Sequence, residues 1–466
     1  MDLSPAHNQS LEDLDRENIF HPFTLPSEHM AHGPKIMVKG QGVRLTDNHG
    51  TVYLDGLAGL WCVNAGYGRQ EIVDAIAKQA ALLPYYHSFA SMGTEPGVYT
   101  ADTVRRMVPG NMARVLFGCS GSDANDTQVK LAWYYNNLKG RPQKKKIIAR
   151  DRAYHGVTVA SGSLTGLPTV HKAFDLPLPQ VVRVRCPHFY REAEAGESEE
   201  AFADRLAAEL EATIEAEGAD TIAAFIAEPV MGAGGVIVPP KGYFEKVQKI
   251  LKANDILFIA DEVICGFGRL GTPFGSDYFG IVPDMISVAK GITSGYQPLS
   301  AVIVCEEVWS TILESSDYLG TFGHGYTYTN HPIACAAANA NIELMEREKL
   351  FDNAATAGAH FHAALHSRLG DHPAVGEIRG VGLMGAVELV ADRATKRSFE
   401  PAAGIAKKVQ ADALARGLIL RPMMNDSLAF SPPLCLTTTE ADEIVDILAA
   451  SIEANMGAMK DAGANH

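Results

Sequence analysis

Short apolar runs alternate with amphipathic stretches along most of the chain. Residues 256–260 are an unbroken apolar run, short enough for a strand buried on both faces; 221–227 reads as another buried strand, apolar after Thr221, and 285–289 as a third run, apolar but for Ser287. Between them the period changes. Phe202, Leu206, Leu210 and Ile214 recur every four residues, which predicts an amphipathic helix over 199–217 that ends at Gly218. Another helix is predicted over 243–253, and one from about Gln70 with Ile72, Ile76 and Ala80 on one face. Residues 115–117, 146–149 and the stretch LSAVIVCEE add strands. This alternation predicts an α/β fold with a mostly parallel sheet.

The two ends of the chain read differently. Residues up to about 23 are expected to form a loose arm, and 35–55 alternates in short pieces broken by glycines, the pattern of an antiparallel meander. From about Ala334 a long helical pattern leads out of the sheet, and strand, helix, strand, helix follow as a smaller α+β domain. The expected division is an arm and meander over 1–70 that belong with the small domain, a large domain over 71–335, and the rest of the small domain over 336–466.

The polar residues that close the apolar runs carry the candidate chemistry. One run ends in Asp261-Glu262 and another in Lys290-Gly291, so an acid and a lysine stand where parallel strands emerge and where ligands bind in such sheets. Pyridoxal phosphate chemistry uses that pair: the lysine tethers the cofactor as a Schiff base, and the carboxylate keeps the pyridine nitrogen protonated. Desolvation frees the lysine amine to act as a base. Gly266, Gly268 and Gly271 spell G-x-G-x-x-G, but they do not follow the strand directly. The TPFGSDYFGIVPD stretch after them is too rich in Gly and Pro for a helix, so a loop is expected and a nicotinamide site is rejected. The 115–117 strand runs into Ser120-Gly121-Ser122 and a helix with Ser122 as the expected N-cap, and a helix start of this kind seats a phosphate.

Composition narrows the partners. The net charge of −15 disfavours nucleic acid and anionic membranes. Seven scattered cysteines without C-x-x-C predict reduced thiols and a cytoplasmic location. The acidic N-terminus is unlike a signal peptide, no apolar run approaches a membrane span, and no His/Asp/Glu spacing predicts a metal site.

D-E-V-I-C-G-F-G-R-L-G, followed by the apolar-A-K-G run, resembles the cofactor-lysine region of class III (omega-amino acid) aminotransferases. S-G-S-D-A-N resembles that family's S-G-S-E-A-N phosphate cup, with Asp123 in place of Glu, and Y-H-G at 154–156, Glu228-Pro229 and H-G-Y-T at 324–327 extend the likeness over nearly the whole chain. The resemblance implies fold type I and pyridoxal 5'-phosphate. It makes Lys290 and Asp261 catalytic and puts Val263 and Tyr154 on the two ring faces. Ser120, Gly121 and Ser122 become the phosphate cup, joined by Thr327 of a neighbouring subunit, with Glu228 near the cofactor. Trp61, Phe89, Ala233 and Tyr154 then shape the substrate pocket, and Arg421, in register before SPPLCLT, grips a substrate carboxylate. A homodimer with shared sites follows, or a tetramer of such dimers. Residues 328–330, Gln297 and Ser300 depart from the family's commoner residues. The implied reaction is amino transfer from a primary amine or omega-amino acid, such as beta-alanine or taurine, to pyruvate. The rivals are an aminomutase, racemase or decarboxylase on the same scaffold, and a non-enzymatic binder of the cofactor.

Overall fold

The computed structural model describes residues 9–464. The three-stranded meander comprises β1 (Met37–Gln41), β2 (Arg44–Asp47) and β3 (Val52–Asp55). The central sheet uses β4 (Met112–Gly118), β5 (Lys146–Arg150), β6 (Val181–Val184), β7 (Ile222–Ala227), β8 (Leu257–Asp261), β9 (Met285–Val288) and β10 (Ser300–Cys305). The C-terminal part adds β11 (Val375–Val381), β12 (Met384–Leu389), β13 (Leu418–Ile419), β14 (Arg421–Met423) and β15 (Ser427–Phe430).

The seven strands lie in the order β4-β10-β9-β8-β7-β5-β6. All neighbouring pairs are parallel except those of β10, which runs antiparallel to both β4 and β9. The chain thus has an α/β fold of type I, with a large mixed-sheet domain and a smaller domain. Every residue of β7 and β8 is buried, as the unbroken apolar runs require of strands covered on both faces. The covering helix Glu199–Glu217 buries Phe202, Leu206, Leu210 and Ile214, the four residues its period selected. Because β4, β5, β7, β8 and β9 point the same way, their C-terminal ends open on one sheet edge. That edge is where the candidate residues sit.

β11, β12, β15 and β14 form a second antiparallel sheet. β13 instead pairs in parallel with β3, so the N-terminal meander is completed by a strand from the far end of the chain.

Several local expectations need correction. The arm expected to be loose up to about residue 23 begins outside the described residues, and from Gln9 on it contains the helix Leu11–Asn18, with a second, Pro26–His32, just beyond it. The Gln70–Leu82 helix buries Ile72 but leaves Ala80 exposed and covers Gln79 instead. The stretch after the glycine triad, expected to be without helix, contains the short helix Gly275–Phe279, whose first two amides bond to the buried Glu262 carboxylate. The glycine triad itself lies in turns. A Cβ on Gly268 would strike Phe351 and Leu434, so its role is close packing.

Candidate active site

Asp261 is the last residue of β8 and is buried. One carboxylate oxygen accepts hydrogen bonds from Asn125 Nδ2 and lies against His155 Nδ1, each at 2.8 Å, and the other accepts the Val263 amide at 3.1 Å. Burial alone would raise its pKa, but the His155 contact and the Asn125 and Val263 donors outweigh that and hold it below the ordinary value. A carboxylate at this strand end is therefore anionic at neutral pH.

Lys290 follows β9 by two residues, with a left-handed backbone (φ 49°). Burial lowers the pKa of its amine. Its Nζ has no hydrogen bond or ion pair among the described residues and lies 5.8 Å from the centre of the Trp61 ring. The Arg421 guanidinium stands 5.0 Å from the same centre, equally without an acid partner, and burial lowers its pKa too. Trp61 is 2 % exposed, and its indole N–H has no hydrogen-bond partner.

The helix Gly121–Leu138 starts at the end of β4. Its N-cap is Ser120, not Ser122: the Ser120 hydroxyl accepts the Asp123 amide while Asp123 bonds back to the Ser120 and Cys119 amides. This capping box occupies Asp123 and leaves the first helical amides, of Gly121 and Ser122, free for an anion. Ser122 Oγ accepts the Val157 amide. Val263 packs against Gly121, where a Cβ would come within 3.0 Å of its side chain. Asp123 is also held by Ser300 Oγ at 2.9 Å, so two departures from the family pattern touch each other.

Glu228, buried just beyond β7, accepts the Tyr154 amide at 3.0 Å and the Gly232 amide at 2.8 Å, and burial raises its pKa. It thereby ties the loop after β5 to the turn that carries Ala233, which is half-buried. Phe89 and Thr327 stand apart. Phe89 is 49 % exposed, beside Gly325, and Thr327 is exposed with its carbonyl bonded to Tyr85, so neither joins the crevice within one chain.

One contributor escaped the sequence reading: Asn125, the last residue of the quoted S-G-S-D-A-N motif. His155, within Y-H-G, reads from sequence equally as a hydrogen-bonding or a packed structural histidine, and the fold brings both residues to Asp261. His155 Nε2 and Asn125 Oδ1 remain without partners.

Free amides at a helix start fit a phosphate, and the anionic Asp261 fits a protonated ring nitrogen. Together with an unpartnered lysine on the same sheet edge, they place the chain among the pyridoxal-phosphate enzymes of fold type I. The chain belongs to the class III aminotransferases, since the family described as Aminotransferase class-III matches residues 27–452. It is 46% identical to the diaminobutyrate–2-oxoglutarate transaminase of Halomonas elongata, over 94% of this chain and 94% of that protein. It is 45% identical to the mitochondrial gamma aminobutyrate transaminase 1 of Solanum lycopersicum, over 96% of this chain and 86% of that protein. The crystal structure of the omega transaminase from Pseudomonas jessenii in complex with PMP superposes with a TM-score of 0.95 at 46% identity, covering 98% of this chain and all of the other. The protein is a pyridoxal-phosphate-dependent aminotransferase, so its substrates are an amine donor and a 2-oxo acid. No helix among the described residues is long and apolar enough to cross a membrane.

Proposed function

We propose that this aminotransferase is an omega-transaminase. It moves an amino group from a primary amine or an omega-amino acid, beta-alanine-like or taurine-like, to pyruvate, and it releases alanine and an aldehyde or ketone. The uncommitted guanidinium of Arg421 carries this reading. The other arginines around the crevice are in use: Arg152 bonds the Gly234 carbonyl, Arg379 bonds Gly235 and two glutamates, and Arg269 bonds Asn64 and two carbonyls. One free guanidinium suits an acceptor with a single carboxylate, gripped bidentately, better than a dicarboxylate. The Halomonas relative is named for 2-oxoglutarate, so the acceptor is the point to test.

When bound, pyridoxal phosphate supplies the electron sink that makes the proton on the amine-bearing carbon removable. The Gly121 and Ser122 amides and the Ser120 hydroxyl would hold its phosphate, while Tyr154 and Val263 would flank its ring and Glu228 fixes the Tyr154 backbone. Asp261, itself oriented by Asn125 and His155, keeps the proton on the ring nitrogen. Lys290, whose buried amine is more readily neutral, would act as the base that takes the proton from the amine-bearing carbon and holds it for return. Arg421 orients the substrate carboxylate over Trp61, and Ala233 bounds the pocket, which Phe89 joins only where a second copy of the chain brings the crevice to it.

The same proposal pairs two copies of the chain, with Thr327 of each completing the other's phosphate cup. The exposure of the large apolar side chains Leu82, Tyr86, Phe89, Tyr99 and Tyr328 supports it. The β3–β13 pairing supports grouping residues 1–70 with 336–466 as the small domain, around a cofactor-binding domain over 71–335. Seven unbonded cysteines support the cytoplasmic assignment.

A donor panel run with pyruvate or with 2-oxoglutarate tests the reaction. Alanine formed in step with amine consumed is the expected result. Glutamate from 2-oxoglutarate, with no alanine from pyruvate, overturns the acceptor assignment.

A further inference from the structure

Two groups of imidazole and carboxylate side chains converge among the described residues, and they differ in what fills their centre. In the first, His188, Glu377 and Glu388 surround Arg379, whose Nη1 lies 2.6 Å from Glu377 and 2.8 Å from Glu388. A cation is already built in. In the second, Asp15, His21 and His29 bring their ligand atoms within 4.8 Å of one another, and no lysine or arginine pairs with Asp15.

The geometry of this second group is that of chelation. The Nε2 atoms of His21 and His29 face the same oxygen, Oδ1 of Asp15, at 2.8 and 3.4 Å. The His21 contact is a hydrogen bond, whereas His29 Nε2 is buried without one. The side chains of His29 and Asp15 are 10% and 12% exposed, so the unsatisfied nitrogen is not turned to solvent. Ligand atoms around a tetrahedral ion with bonds of about 2.0–2.1 Å stand roughly 3.3 Å apart, close to the spacing found. Two imidazoles and one carboxylate select zinc-class ions over magnesium or calcium, which prefer all-oxygen shells.

The setting gives such an ion a purpose. Neither the Leu11–Asn18 helix, which carries Asp15, nor the Pro26–His32 helix, which carries His29, contains a buried residue, while Phe20 and Phe23 between them are largely exposed. An element with so little core is held by staples. One is visible: Glu12 bonds Asn48 at 2.6 Å and pairs with His49 at 2.9 Å, which fastens the first helix to the β2–β3 turn. The second helix has no equivalent contact in that turn.

We propose that Asp15, His21 and His29 form a site for a divalent transition-metal ion of the zinc class, which clips the two arm helices together. Each imidazole donates its Nε2 lone pair and keeps its proton on Nδ1, Asp15 binds as the carboxylate, and water takes the fourth position. No electron transfer is involved.

Chelator-stripped, full-length holoenzyme titrated with Co²⁺ at neutral pH tests this. The expected result is one equivalent per chain with the visible spectrum of a four-coordinate ion, displaced by Zn²⁺. Affinity should fall at least tenfold in His29→Ala and in Asp15→Asn, and stay unchanged in His360→Ala, whose imidazole pairs with Asp442 elsewhere on the surface. Zn²⁺ should raise the Tm of the wild type above its value in chelator and leave the Tm of each arm variant at that variant's own value in chelator. No saturable Co²⁺ binding by the wild type, or binding undiminished in both arm variants, overturns the proposal.

Discussion

Asp261 and Arg421 are charged residues that both act on the Lys290 amine, and the fold treats them in opposite ways. Asp261 spends its carboxylate on Asn125, His155 and the Val263 amide, all in place before any ligand arrives. Arg421 has only the face of Trp61 beneath it and no counter-charge. A group that serves the same ring nitrogen in every turnover benefits from fixed partners, since preorganised dipoles need no reorganisation at the moment of reaction. A group that meets two different substrates in one cycle, as proposed for Arg421, is better left uncommitted. Glu262, one residue past Asp261, sharpens the contrast: its carboxylate bonds the Gly275 and Ser276 amides, and burial raises its pKa to about 7. Of two adjacent acids, one binds His155 and Asn125 and the other holds the start of the Gly275–Phe279 helix.

Removing Lys290 is expected to have the largest effect. Lys290→Ala should lower turnover by roughly 10⁴-fold or more, at the upper end for a general base, in a chain that stays folded by circular dichroism. Borohydride reduction of the wild type should label Lys290, and a label on another lysine would sink the assignment. Next, Asp261→Asn should retain cofactor but slow proton transfer by about 10²–10³-fold, because an amide cannot stabilise the protonated ring. Unchanged single-turnover rates with saturating amine would contradict that role.

Arg421→Ala tests the other member of the pair. The pyruvate half-reaction should lose roughly 2–5 kcal/mol, tens- to thousands-fold in rate, while the half-reaction with an uncharged amine changes little. An omega-amino acid or taurine-like donor should suffer as pyruvate does, since it too carries an acid group. Equal, small effects on all substrates in stopped flow would make Arg421 an ordinary surface cation.

His155→Gln probes the fixed side through pH. Because the folded-state pKa of Asp261 is depressed, its contribution to stability is complete above the ordinary carboxylate value and is lost as pH falls through the folded value. Without His155 the folded value rises, so the acid-unfolding midpoint should move to higher pH, and an unmoved midpoint would show that His155 does not act on Asp261. Ser300→Ala should do least. It removes one hydrogen bond to Asp123, about 1 kcal/mol, and should speed cofactor loss on dialysis by about fivefold.

The repeating elements were the most legible part of the chain. A helix with Phe202, Leu206, Leu210 and Ile214 at fixed spacing has only one way to bury them, and β7 and β8 are covered on both faces, so their apolar runs stand out. The positions of Lys290 and Asp261 were legible for the same reason, because each closes such a run. What escaped depends on contacts between distant residues. Asn125, His155 and Asp261 come from three separate elements, and nothing in their local spacing links them. The N-cap error was avoidable. An acid three residues after a serine marks a capping box, and Asp123 stands three after Ser120, not after Ser122. Ala80 fits the helical period but faces out because Gln79 takes the covered position.

The parallel pairing of β3 with β13 has a consequence for the chain as it is made. Asp55 pairs with Ile419, so the meander's last edge stays open until roughly 360 further residues have been synthesised. At about 5–20 residues per second, that is a wait of roughly 20–70 s during which the backbone edge of β3 is unpaired. Leu54, fully buried in the finished molecule, spends that interval without part of its cover. The nascent N-terminal segment therefore carries an open backbone edge through most of synthesis, and its four-stranded sheet is completed only near the end.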